Sequence, residues 1–164
     1  MKKNEAVFTK DTNSKTIRVE RAFNAALPKV WKAWTDSATL DQWWAPKPYK
    51  AETKEMDFRE GGHWLYAMVG PEGNRQWCKA AYSSINTQKS FSSTSMFCNE
   101  AGEQDESMPM MYWDVKFNDK DDSTLVTTIL QFDSLEDMET IIKMGFEEGF
   151  KMGLGNLDEY LVRH

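Results

Sequence analysis

Apolar residues alternate with polar ones along Thr16 to Ala25, where Ile17, Val19 and Phe23 recur with a slip near Arg21, and this period predicts a strand. The period then lengthens. Pro28 suits a first helical position, where its missing N–H leaves nothing unpaired, and Val30, Trp31 and Trp34 mark one side of a short helix. Asp36 or Ser37 can cap a second short helix carrying Leu40, Trp43 and Trp44, which Pro46 and Pro48 end. From Tyr49 to Phe132 the period returns to two. Turn signals recur at Glu60–Gly62, Gly70–Asn74, Asn86–Lys89, Asn99–Pro109 and Asn118–Ser123, the punctuation of an antiparallel sheet. Trp64, Tyr66 and Met68 share one face of a strand, as do Trp113, Val115 and Phe117. Val126, Leu130 and Phe132 line another strand, whose second face is also apolar through Leu125 and Ile129. The acidic loop at Asn99–Pro109 is read as mobile.

Ser134-Leu-Glu-Asp137 has the form of a helix start, a hydroxyl cap followed by a carboxylate. A single helix from there to about Val162 would be roughly 42 Å long at 1.5 Å per residue. Leu135, Met138, Ile142, Phe146, Phe150, Leu157, Tyr160 and Leu161 fall on one side of it, and Glu147, Glu148, Lys151 and Asp158 on the other. Gly145, Gly149 and Gly153 recur every fourth residue within the apolar stripe. Each costs a helix interior about 0.5–1 kcal/mol relative to alanine. The row cuts a notch about 12 Å long, walled by Phe146 and Phe150. A bulky sheet side chain can fill such a notch, a neighbouring helix or partner chain can approach through it, or it can hold a ligand.

At 164 residues the chain is the size of one domain, read here as a flexible tail over residues 1–14 and a single domain over 15–164. Lys2 and Lys3 precede no apolar run, so no leader is expected, and the cytoplasm is the expected compartment. A net charge of −6 without a basic cluster argues against nucleic acid and anionic membrane as partners. If Asn86–Lys89 turns a hairpin, residues whose numbers sum to about 175 face each other. Cys78 then opposes Phe97, Cys98 opposes Trp77, and the sulfurs point to opposite faces, so no disulfide is expected. Two cysteines and two distant histidines make no metal pattern. No cofactor is expected, because no glycine-rich phosphate loop follows a strand.

Three stretches, FNAALPKVWKAWTDSATLDQWWAP (23–46), MDFREGGHWLYAMVGPEG (56–73) and GFEEGFKMGLGNLDEYL (145–161), resemble proteins related to the activator of heat-shock protein 90 ATPase. That family lies within the START-like or SRPBCC superfamily, which also holds polyketide cyclases and the birch-pollen allergen. The resemblance covers about residues 15–162, with Leu27 and Glu60 as departures from the usual pattern. It implies an α+β helix-grip fold: a curved antiparallel sheet around a long C-terminal helix, with two short helices after the first strand. It also implies an apolar cavity between sheet and helix, and a chaperone as a possible partner, although the chaperone-stimulating proteins add a domain for which this chain has no room.

The expected function is therefore binding of a small, largely apolar molecule in that cavity. Gly145, Gly149 and Gly153 would give room, and Trp64, Tyr66, Met68, Trp113, Phe117, Phe146 and Phe150 would give walls. Trp77, a strand residue, joins them. The first four tryptophans, Trp31, Trp34, Trp43 and Trp44, are read as a core plug where the short helices meet the sheet. No catalytic residue is assigned: His63 faces away from Trp64 and Tyr66, the crowded serines lack a His–Asp partner, and Arg21 with Glu20 reads as a surface ion pair. Tyr66 is the one polar handle a cyclase- or hydrolase-like alternative could use. A chaperone-linked interaction module and a homodimer are the remaining expectations.

Overall fold

The computed structural model describes residues 4–164. Eight strands form one antiparallel sheet: β1 (Val7–Asp11), β2 (Thr16–Phe23), β3 (Lys50–Met56), β4 (His63–Val69), β5 (Arg75–Asn86), β6 (Ser90–Cys98), β7 (Met111–Asp119) and β8 (Thr124–Gln131). Their spatial order is β1-β2-β8-β7-β6-β5-β4-β3. Two short helices, α1 (Leu27–Thr35) and α2 (Ser37–Trp43), follow β2, and α3 (Leu135–Lys143) and α4 (Phe146–Arg163) close the chain. This is the helix-grip arrangement, with the core between the sheet's inner face and the helices.

The local signals act as their chemistry requires. Pro28 stands in the first turn of α1. Asp36 caps α2 by accepting from the Thr39 N–H at 3.2 Å, and Ser134 caps α3 by accepting from the Asp137 N–H at 3.0 Å. Trp77 opposes Cys98 and Cys78 opposes Phe97, the register expected from the hairpin turn. A bulge between Tyr82 and Ser84 shifts that register near the turn.

Four expectations need correction. Residues 1–14 are not simply a tail: Val7–Asp11 pair with Glu20–Thr16, so the short helices follow the second strand, while residues 1–3 lie outside the described ones. The Asn99–Pro109 loop is tied down. Asn99 Oδ1 accepts from the N–H groups of Ala101 and Glu103, and Asp105 N–H donates to the Phe97 carbonyl at 2.8 Å. Arg21 marks no slip. Ile17, Val19, Arg21 and Phe23 all face inward, and Arg21, 5% exposed, pairs with Asp158 of α4 while its guanidinium lies 4.9 Å from the centre of the Phe23 ring. Asp158, on the polar side of the helical wheel, is thus the counter-charge of a buried cation.

The fourth correction concerns the terminal rod. It is two helices, broken at Met144–Gly145, because Gly145 adopts φ +90° and ends the run of αR residues. The break resets the helical phase, so Ile141 is buried and Leu135 is exposed. The glycine row therefore has no single purpose. Gly145 makes the elbow. A Cβ on Gly149 would meet Pro46 Cγ at an ordinary 3.7 Å, whereas one on Gly153 would lie 3.2 Å from the Trp44 carbonyl oxygen and 3.6 Å from that of Trp43. Gly153 thus lets α4 approach the end of α2. One turn on, the buried Asn156 amide donates to the carbonyls of Trp43 and Ala45, at 3.3 and 3.1 Å, satisfying groups that a helix end leaves open.

Gly149→Ala is expected to stabilise the protein by about 0.5–1 kcal/mol, through helix propensity without a clash. Gly153→Ala is expected to destabilise it by about 1 kcal/mol, since the crowded Trp44 carbonyl lies on a backbone anchored on both sides, at the Trp43 and Ala45 carbonyls, by the Asn156 amide and cannot retreat freely. Urea melts giving the two substitutions the same sign would refute this division. Asp158→Ala leaves the Arg21 guanidinium buried without its counter-charge and is expected to cost about 2–3 kcal/mol. Adding Arg21→Met should recover most of that loss in the same melts.

Candidate functional site

A cavity of about 210 Å³ lies between the inner face of β4–β7 and the α3–α4 elbow. Tyr66 and Met68 come from β4, Cys78 from β5, Met96 and Phe97 from β6, and Met111 and Trp113 from β7. Ile141 and Met144 close it from the end of α3, and Gly145, Phe146, Gly149 and Phe150 from α4. Trp44 and Pro46, just past α2, complete the wall. The exposed lining residues Gln76, Met144 and Gly145 mark the mouth.

Of the residues expected at this site, Tyr66, Met68, Trp113, Gly145, Phe146, Gly149 and Phe150 line the cavity. Four expected ones lie elsewhere. Trp64 stacks on Tyr66 with ring centres 3.9 Å apart and donates its Nε1–H to Thr53 Oγ1 at 3.0 Å. Phe117 packs beneath α1, 5.0 Å from Trp31. Gly153 faces the end of α2. Trp77 opposes Ala67, on the sheet face turned away from Cys78 and Tyr66, with Lys54 Nζ 6.0 Å from its ring.

Several lining residues escaped sequence reasoning. Cys78 was within its reach: a turn centred in Gly70–Asn74 sets Tyr66 opposite Cys78, which sends Cys78 inward and Trp77 outward. Ile141 and Met144 were hidden by the assumption of one unbroken helix. Trp44 was assigned to the core plug, together with Trp31, Trp34 and Trp43. It lies edge-on to Trp43, Trp64 and Phe150, and it also forms the cavity's inner end.

The cavity is uncharged. Among the described residues its lining has no Asp, Glu, His, Lys or Arg. Trp44 Nε1–H donates to the Tyr66 hydroxyl oxygen at 3.0 Å. Burial raises the Tyr66 hydroxyl well above its ordinary pKa and pushes the Cys78 thiol up to about 12, so both stay neutral at physiological pH. Behind Trp44, Tyr66, Ser95 and Trp113 lies a second void of about 30 Å³, bounded further by Trp34, Tyr82 and Ser93. Among the described residues no group of three or more His, Cys, Asp or Glu side chains is placed to hold a metal ion, and no helix is long and apolar enough to cross a membrane.

A family model described as "Activator of Hsp90 ATPase homolog 1-like protein" matches residues 24–162. The chain belongs to this family. As a member of the Hsp90 ATPase activator homolog 1-like group, it resembles a solved protein from Arthrobacter aurescens with 26% identity and a TM-score of 0.91, over 96% of this chain and 92% of that one. A protein from Staphylococcus epidermidis is 26% identical with a TM-score of 0.83, over 94% of each chain. Protein Ms6760 from Mycobacterium smegmatis shares the fold at 24% identity and a TM-score of 0.87, over 95% of this chain and 96% of that one. No curated protein matches the chain.

The buried thiol gives this family member an alkaline liability. In the unfolded chain Cys78 releases its proton near the ordinary thiol value of 9.0, but in the fold only near about 12. The unfolded state therefore binds fewer protons between those values, and stability falls as pH rises through that window, by about 1.4 kcal/mol per pH unit at most for one group. Urea melts at about pH 8 and about pH 10.5 should show a larger loss for the wild type than for Cys78→Ala. Equal losses would show that the thiol stays accessible to base.

Proposed function

We propose that this protein binds a small, uncharged, largely apolar molecule in the cavity at the α3–α4 elbow. The observation that carries this reading is the cavity itself: about 210 Å³, walled by aromatic rings, methionines and glycines, beside a packed core of aromatic and aliphatic side chains. Packed interiors rarely keep voids larger than a water molecule. An apolar cavity of about 150 Å³ holds benzene, so this one suits a guest of about ten heavy atoms. Such a guest would bind with a dissociation constant of about 10 μM to 1 mM, given usual limits on energy per atom.

The lining supports shape tolerance. Met68, Met96, Met111 and Met144 are unbranched and polarizable, and can repack around guests of different outline. The fold family's common use of this space for hydrophobic ligands points the same way. An acid–base mechanism would need two ionisable groups converging on one guest atom. The lining offers only Tyr66 and Cys78, both held neutral by burial.

The test is a thermal-shift comparison of wild type and Gly149→Leu with naphthalene, tetralin and indole. A leucine at position 149, on the cavity wall near Pro46, occupies the guest volume. The wild type should gain several degrees with at least one compound, following the mass-action stabilisation of a folded-state ligand, and the variant should gain none while melting near the wild type when ligand-free. Equal gains in both proteins, or none in the wild type, would overturn the proposal.

A further inference from the structure

Two buried hydrogen-bond donors stand next to the cavity with nothing to bond. The indole Nε1–H groups of Trp34 and Trp113, side chains 3% and 8% exposed, have no acceptor among the described residues. Neighbouring indoles in the same aromatic cluster are satisfied: Trp43 donates to the Ala33 carbonyl at 2.9 Å, Trp44 to Tyr66 and Trp64 to Thr53. A buried polar group left without a partner costs about 1–3 kcal/mol, so most find one.

Both orphaned rings border the inner void of about 30 Å³. Trp113 also borders the outer cavity, and Trp44, Tyr66, Ser95 and Trp113 form the wall common to the two spaces. An oxygen atom at that wall would lie against the Trp113 ring, beside the Tyr66 and Ser95 hydroxyls and with the Trp34 ring across the inner void, whereas the rest of the outer lining is carbon and sulfur apart from the Gln76 amide at the mouth. Among the described residues neither lining has a cationic side chain, which makes a carboxylate or phosphate a poor occupant, since its charge would be buried without compensation.

We infer that the preferred guest is a lipophile bearing a neutral carbonyl oxygen, its hydrocarbon body in the outer cavity and its oxygen directed at the inner wall as acceptor for Trp113 Nε1–H. Trp34 serves the same oxygen, or a single water behind it, for which the inner void has room. This rests on the binding reading above and adds the polar end of the guest.

The test uses a matched pair, tetralin and 1-tetralone, which share a carbon skeleton and differ by the carbonyl oxygen. From water alone the ketone should bind more weakly, because its oxygen gives up hydration. With an indole donor waiting, the ketone should bind at least as tightly as the hydrocarbon. In ¹⁵N-labelled protein it should move the Trp113 indole N–H resonance downfield, which tetralin should not do. Trp113→Phe should weaken the ketone about tenfold relative to tetralin, the loss expected for one hydrogen bond. Should tetralin bind tighter by the same ratio in both proteins, with the indole resonance unmoved by the ketone, the carbonyl inference fails and the apolar cavity stands. If neither compound binds the wild type, the cavity reading itself fails. The resonance shift is read on the wild type, so it decides the matter even if Trp113→Phe does not fold.

Discussion

The docking of the end of α2 onto α4 is the contact on which the rest of the interior depends. A helix end leaves carbonyls in need of donors. Here Asn156 supplies its amide to two of them, and Gly153 removes the side chain that would hold the backbones apart. That approach sets Trp44, one residue past α2, into the gap between sheet and α4. There its indole reaches Tyr66 from one side and meets Phe150 edge-on from the other. Trp44 thus stops the cavity from running on into the aromatic core, and Pro46 turns the chain away along its rim. Bulk at position 153 would act at the cavity by moving Trp44, without touching a guest.

The cavity follows from where the aromatic packing ends. Trp31, Trp34, Phe58, Phe91 and Phe117 fill the space beneath α1 with edge-on contacts, the arrangement that ring quadrupoles prefer. Toward the other end of the sheet the elbow at Gly145 turns the chain before α4 begins, and four methionines join the rings around the space left open. The half of α4 beyond Phe150 is held differently. The Arg21–Asp158 pair and a hydrogen bond from Lys29 Nζ to the Leu161 carbonyl, at 2.9 Å, pin it to β2 and α1. The far end of the helix is thus fixed by a buried charge pair, while the near end borders open volume and is tied to β1 only at its outer side, by Lys10 and Glu147 at 2.9 Å.

Much of this was legible in the residues. Strand periodicity, the helix starts at Pro28, Asp36 and Ser134, and the β5–β6 register each depend on interactions a few residues apart, so local sequence carries them. Seven of the eleven residues expected at the cavity line it, because strand alternation and helical spacing decide which face Tyr66, Trp113 and Phe150 present. What escaped depends on distant partners. Nothing near Arg21 announces Asp158, so an inward arginine reads as an interruption of the strand. The conformation of Gly145 is not written in a spacing of four, and the three glycines look alike until the chain around each is in place. Gly153 is defined by a carbonyl more than a hundred residues away in sequence. The outward face of Trp77 is written in the Gly70–Asn74 turn, which pairs Trp77 with Ala67 and Cys78 with Tyr66.

An open sheet also has two borders, and their chemistry bears on how copies of this molecule meet one another. A strand with unpaired backbone groups is a template for further strands. On one border β3 carries Lys50, Glu52, Lys54 and Glu55, and a bulge between Thr53 and Glu55 bends its line of donors and acceptors. On the other, β1 is only five residues long and ends in Lys10 and Asp11. Neither border offers a long, flat, greasy ribbon, so a crowded solution of this protein lacks an easy seed for growth into fibres.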